Sequence, residues 1–414
     1  FPAWRSTYLN AGTFRDRQPA EWTFAGPSVL SQRYREFAFY DDDPNTSVAV
    51  LDSRDAAGKL TRSILINGKS DGNTAGDYPT TALLALVPAL FAERPEHAFV
   101  IGFGTGVTAG TLAGFEEVNS VTIAEISSAV IAAAPLFDFA DGGVSRHPKV
   151  RFVHSDAYRA LLKGHQRYDV IVSEPSNPWV TGIEQLYSRE FLTEARDRLT
   201  SGGVYCQWFH RYEVNAEALA LVLGTFAEVF DHASVWSINS ADLMLLGFRD
   251  ADLALDVDRL ERRVQRADFG AVLDRLAIAG LPMLLAHEAI PVGVLHAAAL
   301  RGPVHSLYHP LLNFAAGKGF FAGHRAELPF TGYGEAAAIG TANSLLRRHL
   351  ERLDGRDPEA VHAAIAQHAC YGGLPGCGAL AALWSPDSGD AQEFQAFAAA
   401  MQRRHGPLFL RRMR

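Results

Sequence analysis

Three cysteines in 414 residues, Cys206, Cys370 and Cys377, are too few for a disulfide framework and follow no zinc-ligand spacing. The pair in "CYGGLPGC" either closes a local disulfide loop or stays as two free thiols, and two thiols in a Gly-rich turn is the preferred reading. A basic excess is missing too: 38 Lys and Arg stand against 46 Asp and Glu, a net charge of -8. Such a chain has no positive field to hold a phosphate backbone, so nucleic acid is not expected as a partner. The basic tail "RRHGPLFLRRMR" is short and reads as a solvated helix end. Long apolar runs are also lacking. "TALLALVPALFA" is interrupted by Pro88 and stopped by Glu93, so it reads as a buried helix and not a membrane span. The chain opens on Phe1 with no signal-like stretch, which leaves open a membrane segment ahead of Phe1. The expected location is cytoplasmic, with membrane association only through such a segment. No HExxH, Ser-His-Asp order or Cys-His set stands out, and no metal is expected.

What is present is an ordinary globular composition, 48% hydrophobic and 20% charged, ample for a large core. Three regions are expected. Residues 1–77 hold an N-terminal segment and a small β-domain, because "SVAVLDSRDAAGKLTRSILINGK" reads as two β-rich runs around a polar turn at Ala57 and Gly58. Residues 78–249 alternate short apolar strands with helical patterns, the signature of a parallel sheet covered by helices. The last two strands, "ASVWSIN" and "DLMLLGF", lie so close in sequence that they pair antiparallel, the ending of a class I methyltransferase-like, Rossmann-like doubly wound sheet. Residues 250–414 read as mostly helical, with no strand after Arg249.

Chemistry-bearing residues recur where successive strands end. "VIGFGTGVTAG" puts Gly102, Gly104 and Gly106 between a strand and a helix, where bare backbone can approach a ligand and helix N–H groups face it. The next strand ends in Glu125, placed to accept two ribose hydroxyls, or else to cap the helix that follows. The third ends in "SDA": Asp156, beside Ala157, either accepts from an exocyclic amine such as that of adenine or caps its own helix. The fourth, "YDVIVSEPSNPW", ends in Glu174. Ligands of doubly wound sheets sit at the carboxyl ends of strands, and this series fits a nucleoside whose reactive end projects toward the fourth strand, an S-adenosyl-type ligand.

The motifs "INGK", "GFGTG", "AEI", "HSDAY", "YDVIVSEPSNPW", "LYSREF" and "GGVYCQW", in that order, make residues 45–248 resemble the spermidine synthases, the polyamine aminopropyltransferases, and most of all their relatives often fused to membrane segments. The resemblance implies a β-domain followed by a methyltransferase-like domain, an adenosyl sulfonium donor, methylthioadenosine as product, an amine acceptor and, often, dimers. It also implies Gly102, Gly104, Thr105, Gly106, Glu125, Asp156 and Ala157 at the nucleoside. Asp71, Asp77 and Gln207 fall on the acceptor side, and Glu174 and Asn177 at the reacting amine.

Departures from the family pattern matter. Thr105 stands where the aminopropyltransferases carry an Asp that holds the donor's ammonium group. Glu174 and Asn177 stand where two Asp residues deprotonate and orient the acceptor. Asp71 replaces a Gln, and Thr80 and Thr81 replace a Tyr-Gln or Tyr-His pair. Loss of the turn Asp removes a repulsion against a carboxylate, so the donor is decarboxylated S-adenosylmethionine or S-adenosylmethionine itself. Three readings stay open: transfer of an aminopropyl-type group, methyl transfer, and a non-catalytic nucleoside-binding module. Trp179, Trp208 and Trp236 are either cleft walls or core. His210 and Tyr212 follow the fifth strand, and His309 in "SLYHPLLNF" reads as structural.

Overall fold

The computed structural model describes residues 29, 37–239, 241–250, 256–278, 280–297, 302–329 and 334–354. Cys370, Cys377, the basic tail and the helical patterns after residue 354 lie outside the described residues. The chain divides into two compact units, Phe1–Ala85 with Glu96–Gln166, and Leu86–Pro95 with Arg167–Arg414.

The first unit opens with a four-stranded antiparallel sheet, β1 (Phe39–Asp42), β2 (Ser47–Arg54), β3 (Leu60–Ile66) and β4 (Lys69–Asn73), in that spatial order. The β2–β3 turn is held by Asp55, whose Oδ1 accepts from the N–H groups of Ala57 and Lys59 at 2.9 Å each. The β3–β4 turn is the pair Asn67-Gly68, at φ 49° and 79°. Both values are left-handed, as a two-residue turn matching strand twist requires, and Asn and Gly are the residues that tolerate them.

Helix α1 (Tyr78–Phe91) follows, with Pro79 in its first turn. Next come β5 (His97–Ile101), α2 (Val107–Gly114), β6 (Ser120–Glu125), α3 (Ser128–Ala133), α4 (Asp138–Asp141), β7 (Val150–His154) and α5 (Ala157–Lys163). Strands β5, β6 and β7 run parallel in that order, with Ile101 opposite Ala124 and Glu125 opposite His154. Phe99, Val100, Val121 and Ile123 are buried on both faces, which is why these strands read as unbroken apolar runs. Ser127 caps α3 by accepting from Val130 N–H at 3.1 Å. The two sheets of this unit are tied by Asp43, whose Oδ2 accepts from Ser127 Oγ at 2.5 Å and Ala129 N–H at 3.2 Å. Arg62 adds a second tie, donating to Asp52 at 2.6 Å and to the carbonyl of Leu136.

In the second unit β8 (Tyr168–Ser173), β9 (Leu199–His210), β10 (His232–Ser237) and β11 (Asp242–Phe248) lie in the order β8-β9-β11-β10. β8 and β9 are parallel, and β11 returns antiparallel to β9 and β10. Helices α6 (Arg189–Asp197) and α7 (Ala216–Val229) make the crossovers. These strand orders are those of a class I methyltransferase-like domain, a doubly wound mixed sheet closed by an antiparallel hairpin.

Beyond Arg249 one expectation fails. Glu288–Ile290 is a short strand, β12, that pairs antiparallel with β10. Three residues carry too little periodicity to be read from sequence, and pairing with the edge of β10 is what makes them a strand. Two helices follow the sheet, α8 (Val257–Val264) and α9 (Ala267–Leu276). Then follow α10 (Leu281–Leu285), α11 (Val294–Ala297), α12 (Leu311–Ala322), α13 (Gly334–Asn343) and α14 (Leu345–Asp354). Trp236 belongs to the core: it is fully buried, donates to Ser234 Oγ at 3.1 Å and meets Phe91 edge-on at 5.6 Å.

Candidate functional site

In the first unit the ends of β5, β6 and β7 bring the glycine turn, Glu125 and Asp156 to one sheet edge. Gly102 donates to the carbonyl of Ala124 at 2.9 Å, and Ser155 to that of Glu125 at 3.0 Å, so the three strand ends are stitched by backbone. Gly102, Gly104 and Gly106 have φ of 83°, 55° and 76°, three left-handed positions that side chains would resist. A β-carbon on Gly104 would meet nothing within 4 Å, so the turn is open at its centre. Gly106 is the N-cap of α2 and offers no side-chain cap. Thr105 is buried, and a β-carbon on Gly72 would lie 3.1 Å from its methyl group.

Glu125 is buried at 7% exposure. Its two oxygens accept from Phe103 N–H at 2.9 Å and Ser127 N–H at 2.8 Å. The carboxylate thus clamps the glycine turn to the start of α3. Burial, which outweighs those N–H bonds, raises its pKa above the ordinary value. Each carboxylate oxygen has a second lone pair, so clamping leaves acceptor capacity for hydroxyls. Asp156 caps α5 through Arg159 N–H at 2.8 Å, and Ala157 beside it is buried. Beyond Glu125 stands Ile126, an apolar side chain 47% exposed, with its carbonyl taking Asn45 Nδ2 and His154 Nε2 at 3.1 Å each. An exposed isoleucine between two acidic strand ends is an apolar surface suited to a base.

Asp71 and Asp77 frame the segment before α1. Asp71 forms an ion pair with Lys69, and Asp77 Oδ2 accepts from Asn73 N–H at 2.7 Å. Asp77 is the more exposed of the two.

In the second unit β8 and β9 place Ser173 opposite Gln207, so Glu174 emerges one step beyond, at the level of Trp208. Glu174 is half-buried, whereas Asn177 is 1% exposed and Gln207 fully buried. Gln207 donates through Nε2 to Leu186 O at 2.9 Å, and its Oε1 has no partner. An idle buried amide oxygen is a costly feature, and a bound donor group would satisfy it. Burial, then the nearby Glu174 charge, pushes the Cys206 thiol well up, so it stays neutral and unreactive.

Past the proline-bounded loop, Trp179 stacks on Phe320 at 4.9 Å and meets His210 edge-on at 4.9 Å. His210 stacks on Tyr212 at 4.4 Å and lies 5.2 Å from Trp208. Trp179 and Trp208 are half-buried, so they differ from Trp236 in reaching a surface. Helix α12 belongs to this cluster: it supplies Phe320, and Asn313 Nδ2 reaches Trp179 O at 3.5 Å. The sequence reading gave α12 no part in this cluster. It also missed Asp43, which anchors Ser127, and Asp141, which is 4% exposed and lies against Gly106. The spacing Gly106-x-x-x-Gly110 was the available signal, since two glycines one helical turn apart admit close backbone approach. Among the described residues no cluster of three His, Cys, Asp or Glu side chains suits a metal, and no helix is long and apolar enough to cross a membrane.

The thermospermine synthase ACAULIS5 of Arabidopsis thaliana is 22% identical over 261 residues, 61% of this chain and 74% of that protein. A polyamine aminopropyltransferase of Corynebacterium efficiens is 31% identical over 180 residues, 42% of this chain and only 33% of that protein. The crystal structure of spermidine synthase from Thermotoga maritima aligns with a TM-score of 0.46 at 17% identity, covering 58% of this chain and 87% of that one. Residues 79–239 match the family model of the spermine/spermidine synthase domain.

Proposed function

We propose that this chain transfers an aminopropyl group from decarboxylated S-adenosylmethionine to a small-molecule amine, releasing methylthioadenosine. The observation that carries this reading is the sheet edge where an open left-handed glycine turn, buried Glu125 and Asp156 converge inside the matched domain. Relatives named as polyamine aminopropyltransferases support the group transferred.

The glycine turn and the α2 N-terminus take the sulfonium arm, Glu125 the ribose hydroxyls, and Asp156 with Ala157 and Ile126 the base. The acceptor's neutral nitrogen attacks the carbon next to sulfur. The carbon–sulfur bond breaks, its electron pair returns to sulfur, and the positive sulfonium becomes a neutral thioether. The new ammonium loses its proton to Glu174, which acts as general base. Asn177 and Gln207 orient the acceptor, and Asp77 and Asp71 offer negative charge to a cationic acceptor. The displacement needs no metal, because the leaving group already carries the charge.

Thr105 favours a second reading, in which S-adenosylmethionine is the donor and a methyl group moves. Incubating the chain with each nucleoside and a panel of di- and triamines, with products read by mass spectrometry, separates the two. Methylthioadenosine with a lengthened polyamine is expected. S-adenosylhomocysteine with a methylated product would replace the proposal, and nucleoside binding without turnover would reduce the chain to a binding module.

A further inference from the structure

The glycine turn lacks an acid of its own. Thr105 is neutral and buried, and the N-terminus of α2 carries the positive end of a helix dipole. By itself that geometry favours an anionic arm. The acid that changes this sign comes from another element.

Asp141 ends α4 and is 4% exposed. Its Oδ1 accepts from Gly143 N–H at 2.9 Å and Val144 N–H at 3.1 Å, while its buried Oδ2 has no partner. A β-carbon on Gly106 would fall 2.2 Å from that Oδ2, so the carboxylate presses directly on the first turn of α2. One helical turn on, a β-carbon on Gly110 would fall 1.7 Å from the carbonyl oxygen of Asp141. Gly106 has a left-handed φ that asks for glycine anyway, but Gly110 sits in an ordinary helix interior where glycine is unfavourable. Close approach of Asp141 explains it.

No Lys or Arg among the described residues neutralises Asp141. Phe103 lines the same space as the carboxylate. A charged neighbour, Asp138, is engaged with Ser145 and Arg146 and adds repulsion. Burying a carboxylate without a cation is costly. Desolvation lifts this one to about 6, which still leaves it mostly ionised at neutral pH.

We propose that Asp141 supplies, at the glycine-rich turn, the negative charge that Thr105 does not, and so selects a donor whose arm ends in an ammonium group over one that also carries a carboxylate. The inference rests on the adenosyl sulfonium reading of the turn and deepens it by assigning the donor's selectivity to a residue outside the turn.

Calorimetric titration of the full chain with methylthioadenosine, decarboxylated S-adenosylmethionine and S-adenosylmethionine tests it. Asp141→Asn keeps the shape and the acceptor for Gly143 and Val144 while removing the charge; Asp141→Ser is a second uncharged variant should the first fold poorly. The preference for the decarboxylated donor should fall about tenfold, the effect of one unit charge across a partly solvated gap. Affinity for methylthioadenosine, which has no charged arm, should stay level. Thr105→Asp on the Asp141→Asn background should restore the preference. An unchanged preference, or equal losses for all three nucleosides, would overturn the inference while leaving the adenosyl reading intact. A wild-type chain that binds none of the three would overturn both.

Discussion

The carboxylate of Asp141 occupies the space that a side chain on Gly106 would need. A β-carbon there would sit 2.2 Å from Asp141 Oδ2 and 2.7 Å from the Phe103 ring. Gly106→Ala therefore meets both a left-handed φ of 76° and a collision. It should cost about 2 kcal/mol or more, combining backbone strain with overpacking. Asp141→Ala should return part of that cost, with a coupling of about 0.5–3 kcal/mol in a urea-denaturation double-mutant cycle. Additive losses would mean the two residues do not share that space.

Glu125 carries a different prediction, because it clamps two backbone amides as well as facing the candidate ribose position. Glu125→Ala should weaken methylthioadenosine binding by roughly 1.5–3 kcal/mol, the worth of a charged hydrogen bond. It should also lower stability, since Phe103 and Ser127 lose their acceptor. Titration of the folded variant reads the first effect and thermal melting the second. Lowered stability with unchanged affinity would leave Glu125 a purely structural clamp.

Glu174→Gln keeps the shape of the residue and removes the charge and the base. Turnover should drop about 10²–10⁴-fold, the usual contribution of a positioned base, while methylthioadenosine still binds. Stopped-assay rates and a parallel titration are sufficient. Full turnover in the variant would return the "SEPSNPW" loop to a structural role, and lost nucleoside binding would move Glu174 to the donor pocket.

Glu288 predicts a pH dependence. The side chain is buried on β12, with Oε2 accepting from Leu345 N–H at 2.9 Å and Oε1 lacking a partner. Burial raises its pKa from 4.5 to about 8, more than the Leu345 bond and the nearby Arg348 offset. The fold therefore favours the protonated acid. The stability it contributes is complete below about pH 4.5 and is lost as pH rises toward 8, beyond which the loss is constant. Glu288→Gln should match the wild type in melting temperature near pH 4.5. It should exceed the wild type above pH 8 by about 2 °C or more, about 1 kcal/mol for a chain of this size. Melting curves at pH 5, 7 and 9 decide it; a gap that narrows with rising pH would refute the assignment.

Local features were legible in the sequence because their causes are local. The polar turn at Ala57 and Gly58 forms between β2 and β3, where Asp55 accepts from the N–H groups of Ala57 and Lys59. The alternation of apolar strands and helices carries the doubly wound sheet, and with it the sheet edge where Gly102, Glu125 and Asp156 meet. What each acid does at that edge was not legible. Glu125 turned out to bond two amides, and Asp156 to cap its helix, because those bonds depend on where a neighbouring turn arrives.

Tertiary packing alone decided the rest. Asp141 lies 35 residues from Gly106 in sequence, and its carboxylate acquires meaning only where α4 presses against a side-chain-free stripe of α2. Phe320 lies 141 residues beyond Trp179, yet stacks on it at 4.9 Å and makes α12 part of the aromatic cluster around Trp179 and His210. Glu288–Ile290 is a strand only because the edge of β10 offers it partners. Periodicity and turn chemistry are written within a few residues of one another, whereas burial, desolvation and the meeting of distant side chains exist only once the chain has closed on itself.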